Sequence, residues 1–548
     1  MDITRRSTLA LALGTVAARA LATTGKPEPA AAHGPAASMP KTWSRDAEGR
    51  RRADLGNGQY LNPIIPGDHP DPTILKDGDD YYATFSSFDV TPGLLIWHSR
   101  DLVNWVPLGP ALPEPPGTVF ASDLVKHGKR YYIYIPFIPA PWSHDLPDTS
   151  SIQVIWADDI RGPWSQPIDL GIRGYIDPGH ILGEDGRRYL FLSGVARVRL
   201  SDDGLATDGA IEHVYDGWRY PEEWITEAYA LEGPKLFRRG DWFYLVSAVG
   251  GTFGPPTGHM VIVARSHSIH GPWQNCPHNP IVRTRSADER WWSRGHATVF
   301  EGPDGQHWML YHGVENGFRS LGRQPLLEPV AWDADGWFHA RGGDLSRPLP
   351  KPRAPHAPAI APAPPPWSDD FGAAAFGTRW TFFGAAPDER QRAHFGSDGL
   401  VLDGKGHDPS DSPPLLGMTG DLAYECSVDM ELEGEATGAL LLFFNRRMFI
   451  GLAHDGRRMV TYRGGAPGHW REPAPASRRL HLKIVNDRHI VTFHYSLDGR
   501  EWTRHGLRSE VSGYNANTMD DLQSLRPALG ACGNGRVRFR NFRYRGLP

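Results

Sequence analysis

Five times in the first two thirds of the chain a glycine turn opens into an aromatic, β-rich run: "KDGDDYYATFSS", "KHGKRYYIYIPF", "GEDGRRYLFLSG", "FRRGDWFYLVSA" and "GPDGQHWMLYHG". The turn residues are Gly78, Gly128, Gly186, Gly240 and Gly305, so the unit recurs roughly every 50 to 65 residues. Glycine between strand-like runs is hairpin chemistry. A second element closes some units, "SRDLVNW" at Trp105, "ADDIRGPW" at Trp164 and "RSHSIHGPW" at Trp273. Imperfect repeats of this length with few helix signals predict propeller blades. The expectation is an all-β chain with a five-bladed propeller over residues 60–348.

In a propeller the innermost strand of each blade lines the central channel, and its first residues converge at one end of the axis. Reading back from each turn places Asp71, Asp123, Asp177, Glu232 and His296 there. Each alone reads as a turn residue at a strand entrance. Four carboxylates and an imidazole at equivalent positions make a poor core, since buried charge is costly unless paired. Around an axial cleft, two such carboxyls can act as general acid and general base, and a third can tune the acid. Asp71 is the most constrained of them, because "DHPDPTIL" sets it between Pro70 and Pro72. Proline fixes its own φ and drives the residue before it out of the right-handed helical region.

The stretch 349–366 is too rich in proline to continue a sheet or helix and reads as a semi-rigid linker. Alternating runs such as "LAYECSVDMELEG", "HIVTFHYSLDG" and "RVRFRNFRYRG" then predict a β-sandwich over 367–548. At the other end, Arg5 and Arg6, an apolar run from Leu9 to Ala18 and Ala20-Leu21-Ala22 predict a Tat-like export signal over 1–22. A flexible lead-in over 23–59 follows. The apolar run is too short to span a bilayer. Three cysteines make neither a framework nor a metal spacing, and they permit a Cys426–Cys532 bridge without requiring it. A net charge of −5 with interspersed signs favours neither a nucleic-acid nor an anionic-membrane partner, and none is expected.

The motifs "NPIIPGDHPDPTIL", "YIDPGHILGEDGRRYLFLSG", "LEGPKLFRRGDWFYLVSA", "RGHATVFEGPDGQHWMLYHG" and "LGRQPLLEPVAWDADGWF" together resemble the family 43 glycoside hydrolases. These are five-bladed propellers that cleave glycosidic bonds with inversion. The resemblance covers the whole expected propeller, and the region from "WSDDFG" onward is similar to the concanavalin-like sandwich that follows it in many members. It implies Asp71 as general base, Asp177 as the residue that tunes the acid's pKa, and Glu232 as general acid. Glu232 alone among Glu222, Glu223, Glu227 and Glu232 precedes Gly-Pro and a strand start. The resemblance further implies that Phe88, Arg323 and His296 border the sugar, with core packing or an ion pair as the plainer alternatives. His296 is also the candidate ligand of a structural calcium or sodium ion in the channel; no cofactor is expected to be required. Two departures stand out. The second blade reads "FASDLV" where the family has Trp-Ala-Pro, which leaves Asp123 outside the catalytic set, and the fourth blade carries the Gly- and Pro-rich loop "AVGGTFGPPTGHM".

The implied substrate is a plant-type polysaccharide or oligosaccharide, cut at terminal xylosyl or arabinofuranosyl residues. Galactofuranosyl or galactosyl linkages, or a silent carbohydrate-binding propeller, are the alternatives. A retaining fructosidase would need an Asn-Asp-Pro-like start, which "DHPDP" does not supply. The sandwich would bind polysaccharide, lend a loop to the site, or brace the propeller.

Overall fold

All five turn glycines adopt φ between +59° and +75°. A Cβ at any of them would meet nothing within 4 Å, so it is the backbone conformation and not space that selects glycine. The computed structural model describes residues 42–548 apart from 144–145, 373–374, 385, 387–388, 469–473 and 520. The expected export signal lies outside these residues.

Each hairpin belongs to its own antiparallel sheet. The innermost strands are Thr73–Asp77, Asp123–His127, Gly179–Leu182, Glu232–Arg239 and Trp291–Glu301, each followed outward by three more strands. Neighbouring innermost strands touch in turn, and the fifth returns to the first, closing a ring of five blades. Thr298 Oγ1 in the fifth donates to Pro72 O beside the first at 2.9 Å. Apolar side chains fill the wedges between blades. Tyr81, Trp97 and Trp105 of the first, for example, pack with Trp308, Leu310 and Leu327 of the fifth. Each such side chain stabilises the ring by roughly 1.5–3 kcal/mol when fully buried. The closing tryptophans belong to these wedges: Trp105 is buried, and Trp273 meets Phe191 edge-on at 6.0 Å.

The C-terminal β-sandwich is built around two long strands, Ala423–Asn445 and Arg526–Gly546, paired from Tyr424 opposite Gly546 to Phe443 opposite Arg526. Along "CSVDMEL" burial alternates with period two, and Cys426, Val428, Met430 and Leu432 point into the core. The permitted bridge is not made: Cys276, Cys426 and Cys532 are all free and buried. Cys532 lies opposite Thr437 and Cys426 opposite Tyr544. The two cysteines thus sit about eleven residues apart along one extended strand, beyond a disulfide's reach.

The segment 43–59, expected to be flexible, is instead a fixed strap. Ser44–Arg45 pairs with Arg51–Arg52. The buried Arg51 guanidinium donates to Glu315 at 2.8 Å and Gln324 at 2.7 Å, while its N–H meets Asp421 of the sandwich at 2.8 Å. A buried cation with a full set of acceptors is a fastener, and this one joins both domains. The start of the expected linker is pinned as well, since Leu349–Pro350 pairs with Gln59–Tyr60 and Lys351 Nζ reaches Asp54 at 2.6 Å. The blades and sandwich also share strand pairing: Val90–Thr91 of the first blade lies against Thr381–Phe383.

Candidate active site

Asp71 and Asp177 each precede a proline at the mouth of an innermost strand, and each has φ +55°; His296 has +59°. Non-glycine residues visit this region at a cost of order 1–3 kcal/mol, held in place by their surroundings. The unusual φ breaks the in-out alternation of a strand, so these side chains do not follow the pattern of the blade that carries them.

Asp71 is buried, with partners from two blades. Its Oδ1 accepts from Arg323 Nη1 at 2.8 Å and lies 3.5 Å from His296 Nδ1, while its Oδ2 accepts from Ser86 Oγ at 2.6 Å. Burial, the largest single influence, would raise its proton affinity, but Arg323 together with His296 and His312 outweighs burial and holds the carboxyl well below the usual range. The Asp71 N–H donates to His312 Nδ1 at 3.1 Å. The same Nδ1 lies 3.2 Å from Asp71 Oδ1, and His312 Nε2 is 3.3 Å from Thr252 Oγ1. Burial pushes His312 down to about 3, which keeps the ring neutral.

Asp177 accepts from the Gly233 N–H at 3.0 Å. Burial first, and then the charges of Glu232 and Asp71, push it up to about 7 against the pull of His296. Glu232 opens the fourth blade, and burial and the Asp71 charge push it up to about 8. Its Oε1 lies 3.5 Å from Nε2 of the buried His259. Gly233 follows because nothing else fits: φ is +60°, and a Cβ would stand 3.0 Å from the His296 ring. The site thus holds one carboxylate that stays ionised and two carboxyls that retain protons near neutrality, within electrostatic reach of one another. Such a set can take a proton from water with one group and give a proton with another.

The other expected residues divide. Arg323 sits on Asp71, with Phe88 packed beside it at 5.3 Å. Phe88 is also core, edge-on to Phe120 at 5.6 Å. Asp123 stands apart from the set: its Oδ1 pairs with buried Lys235 Nζ at 2.6 Å and its Oδ2 accepts from the His180 N–H at 2.7 Å. Glu222 and Glu223 are exposed, and Glu227 accepts from the Phe253 N–H at 2.6 Å, tethering the Gly- and Pro-rich loop. For a channel cation His296 offers a single imidazole, and among the described residues no three His, Cys, Asp or Glu side chains group to hold a metal. Hard cations favour oxygen ligands, so these donors fit calcium or sodium poorly.

Sequence reasoning missed Ser86, His259, His312 and Lys235. The one available signal was polarity out of place, as with His312 at the end of the apolar run "WMLY".

The profile for glycosyl hydrolases family 43 matches residues 60–338. The chain is 31% identical over 349 residues to a xylan 1,3-beta-xylosidase of a Vibrio species, covering 57% of this chain and 62% of that protein. It is 32% identical to the non-reducing end alpha-L-arabinofuranosidase BoGH43B of Bacteroides ovatus, covering 60% of this chain and 62% of that one. The match thus spans under two thirds of the length of either relative. The crystal structure of the GH43 protein BlXynB from Bacillus licheniformis superposes with a TM-score of 0.77 at 25% identity, over 89% of this chain and all of that one. The chain belongs to glycosyl hydrolases family 43.

Proposed function

We propose that this protein is an exported exo-glycosidase that releases terminal xylosyl or arabinofuranosyl residues from plant-type polysaccharides or oligosaccharides, with inversion at the anomeric carbon. The observation that carries the reading is the separation of proton affinities: Asp71 far below the usual carboxylate range, Glu232 up at about 8. Asp71 draws the proton from a water attacking the anomeric carbon. Glu232 protonates the departing oxygen, and Asp177, which ionises at about 7 before Glu232 does at about 8, then keeps Glu232 protonated through its negative charge. The sugar class is supported by the xylosidase and arabinofuranosidase relatives. Aryl xyloside, arabinofuranoside and galactofuranoside substrates test it. Turnover of the first or second supports the proposal, the third alone would move the protein to another sugar, and no turnover by folded protein would sink it. Export rests on the twin arginines and Ala20-Leu21-Ala22; no described helix is long and apolar enough to cross a membrane. Native protein retaining Met1 on mass spectrometry would rule out cleavage near Thr23.

Glu232→Ala is expected to lose about 10²- to 10⁴-fold in kcat on substrates with poor leaving groups and far less on dinitrophenyl glycosides, which need little protonation. Equal losses on both would remove Glu232 from the acid role. Because catalysis needs Glu232 protonated and Asp71 ionised, kcat/KM of the parent should fall as pH rises through about 8. It should stay high into acid until Asp71 takes up a proton, well below the usual range. In Asp177→Asn the basic limb should move to lower pH, since a negative neighbour is gone. An unmoved limb would take Asp177 out of the tuning role.

A further inference from the structure

Glu232 is held less firmly than Asp71. Asp71 takes hydrogen bonds from Arg323 and Ser86, whereas among the described residues no hydrogen bond reaches the Glu232 carboxyl. The basic side chain at ion-pair distance from it is His259, whose Nε2 lies 3.5 Å from Oε1. His259 is itself an anomaly. It is fully buried, yet neither ring nitrogen has a hydrogen-bond partner among the described residues. Buried polar groups left unpaired are costly and call for a role. Burial and then the Arg323 charge hold His259 down to about 4, so the ring is neutral and has one N–H to give.

The ring is seated by glycine and by the loop that delivers it. A Cβ on Gly295 would stand 2.5 Å from the His259 ring, so the residue before His296 is bare where the imidazole lies. The His312 ring is 5.2 Å away, tilted by 40°. His259 follows directly on the Gly- and Pro-rich loop of the fourth blade, and that loop is pinned. The Phe253 N–H donates to Glu227 Oε2 at 2.6 Å, and the Ser293 N–H to Pro256 O at 2.8 Å. A Cβ on Gly250 would meet Gly258 O at 1.9 Å, so glycine is what lets the two ends of the loop close on each other. The loop thereby brings an imidazole to a fixed place beside Glu232.

We infer that His259 is the positioning residue of the acid: its Nε2–H donates to Glu232 Oε1, which leaves Oε2 to carry the proton toward the glycosidic oxygen. A carboxyl has two oxygens, and only the one that faces the leaving group delivers usefully. An Oε1 that accepts a hydrogen bond acts as the carbonyl oxygen, so the proton resides on Oε2. The 3.5 Å separation closes when substrate fills the site, as catalytic hydrogen bonds that are long in a free enzyme do. After Oε2 has given its proton to the departing oxygen, the same N–H stabilises the carboxylate left behind. The inference rests on the glycosidase reading, in which Glu232 is the acid.

The test compares His259→Met with His259→Gln in the full chain. The two side chains are alike in length, and only the second keeps an N–H donor. His259→Met should lose about 10- to 100-fold in kcat on glycosides with poor leaving groups, with KM little changed. On dinitrophenyl glycosides the loss should stay within about threefold, and His259→Gln should recover most of it on both. A scaffold residue would lower both substrates alike and gain nothing from the amide. The donor also favours ionised Glu232, so the Glu232 pKa, read by carbon-13 NMR of labelled glutamate, should rise in His259→Met and return in His259→Gln. The charged groups facing Glu232, which are Asp71, Arg323, Glu227 and Asp177, are the same in both variants. If His259→Met does not fold, His259→Phe takes its place. Equal or absent losses on the two substrates in a folded variant overturn the inference, while parental turnover leaves the glycosidase reading standing. A parent that turns over no aryl glycoside sinks that reading, and the Glu232 pKa then decides the placement separately: unmoved in the folded variants, it overturns the inference.

Discussion

Asp71→Ala is expected to lower kcat by about 10²- to 10⁴-fold on every substrate, activated aryl glycosides included. A good leaving group compensates for a missing acid, but no leaving group compensates for water that is not deprotonated. The surroundings of the carboxylate suit it to a base. Its Oδ1 is taken by Arg323 and its Oδ2 by Ser86, which fixes the plane of the group and leaves lone pairs for a water. The backbone is fixed too, by the N–H bond to His312. Proton NMR of the first-formed sugar in the parent should show the inverted anomer, as expected where acid and base stand far enough apart to admit a water. Retained configuration would make Asp71 a nucleophile instead, and a variant within tenfold of the parent would remove it from the chemistry.

The largest effect on stability is expected from Lys235→Met. The Lys235 ammonium is buried and donates to Asp123 Oδ1 at 2.6 Å, Ser122 O at 2.9 Å and Pro178 O at 3.1 Å. Asp123 in turn accepts from Thr73 Oγ1 at 3.2 Å and the His180 N–H at 2.7 Å. One ion pair therefore ties together strands of the first four blades. Removing only the cation strands a buried carboxylate, which typically costs about 3–5 kcal/mol. Denaturant unfolding should register that loss as a lower midpoint. The double variant Lys235→Met with Asp123→Leu should recover most of it, since a buried pair exchanged for apolar side chains is often close to neutral. A single variant as stable as the parent would mean the pair contributes nothing to holding the blades.

Much of the architecture was legible because it is written in local chemistry. Turn glycines and aromatic strands report on their own few residues, so five hairpins could be counted before any contact was known, and period-two alternation exposed the sandwich in the same way. Asp71, Asp177 and Glu232 were reachable because each stands seven to nine residues ahead of the turn glycine of its own hairpin. What those offsets cannot carry is the partner. Asp123 opens the innermost strand of its blade, where Asp71 and Asp177 stand two residues ahead of theirs, and Lys235, 112 residues away, turns it into a fastener, while Arg323, 252 residues from Asp71, helps keep that carboxyl ionised. Arg51 looked like part of a loose leader until Glu315, Gln324 and Asp421 met around it. Local chemistry along the chain was enough for the blades, the sandwich and the positions at which carboxyls enter the channel. Which of those carboxyls are charged, protonated or paired emerged with the closed ring alone. The energy of a buried charge depends on the groups within a few ångströms of it, and in this ring those groups come from other blades.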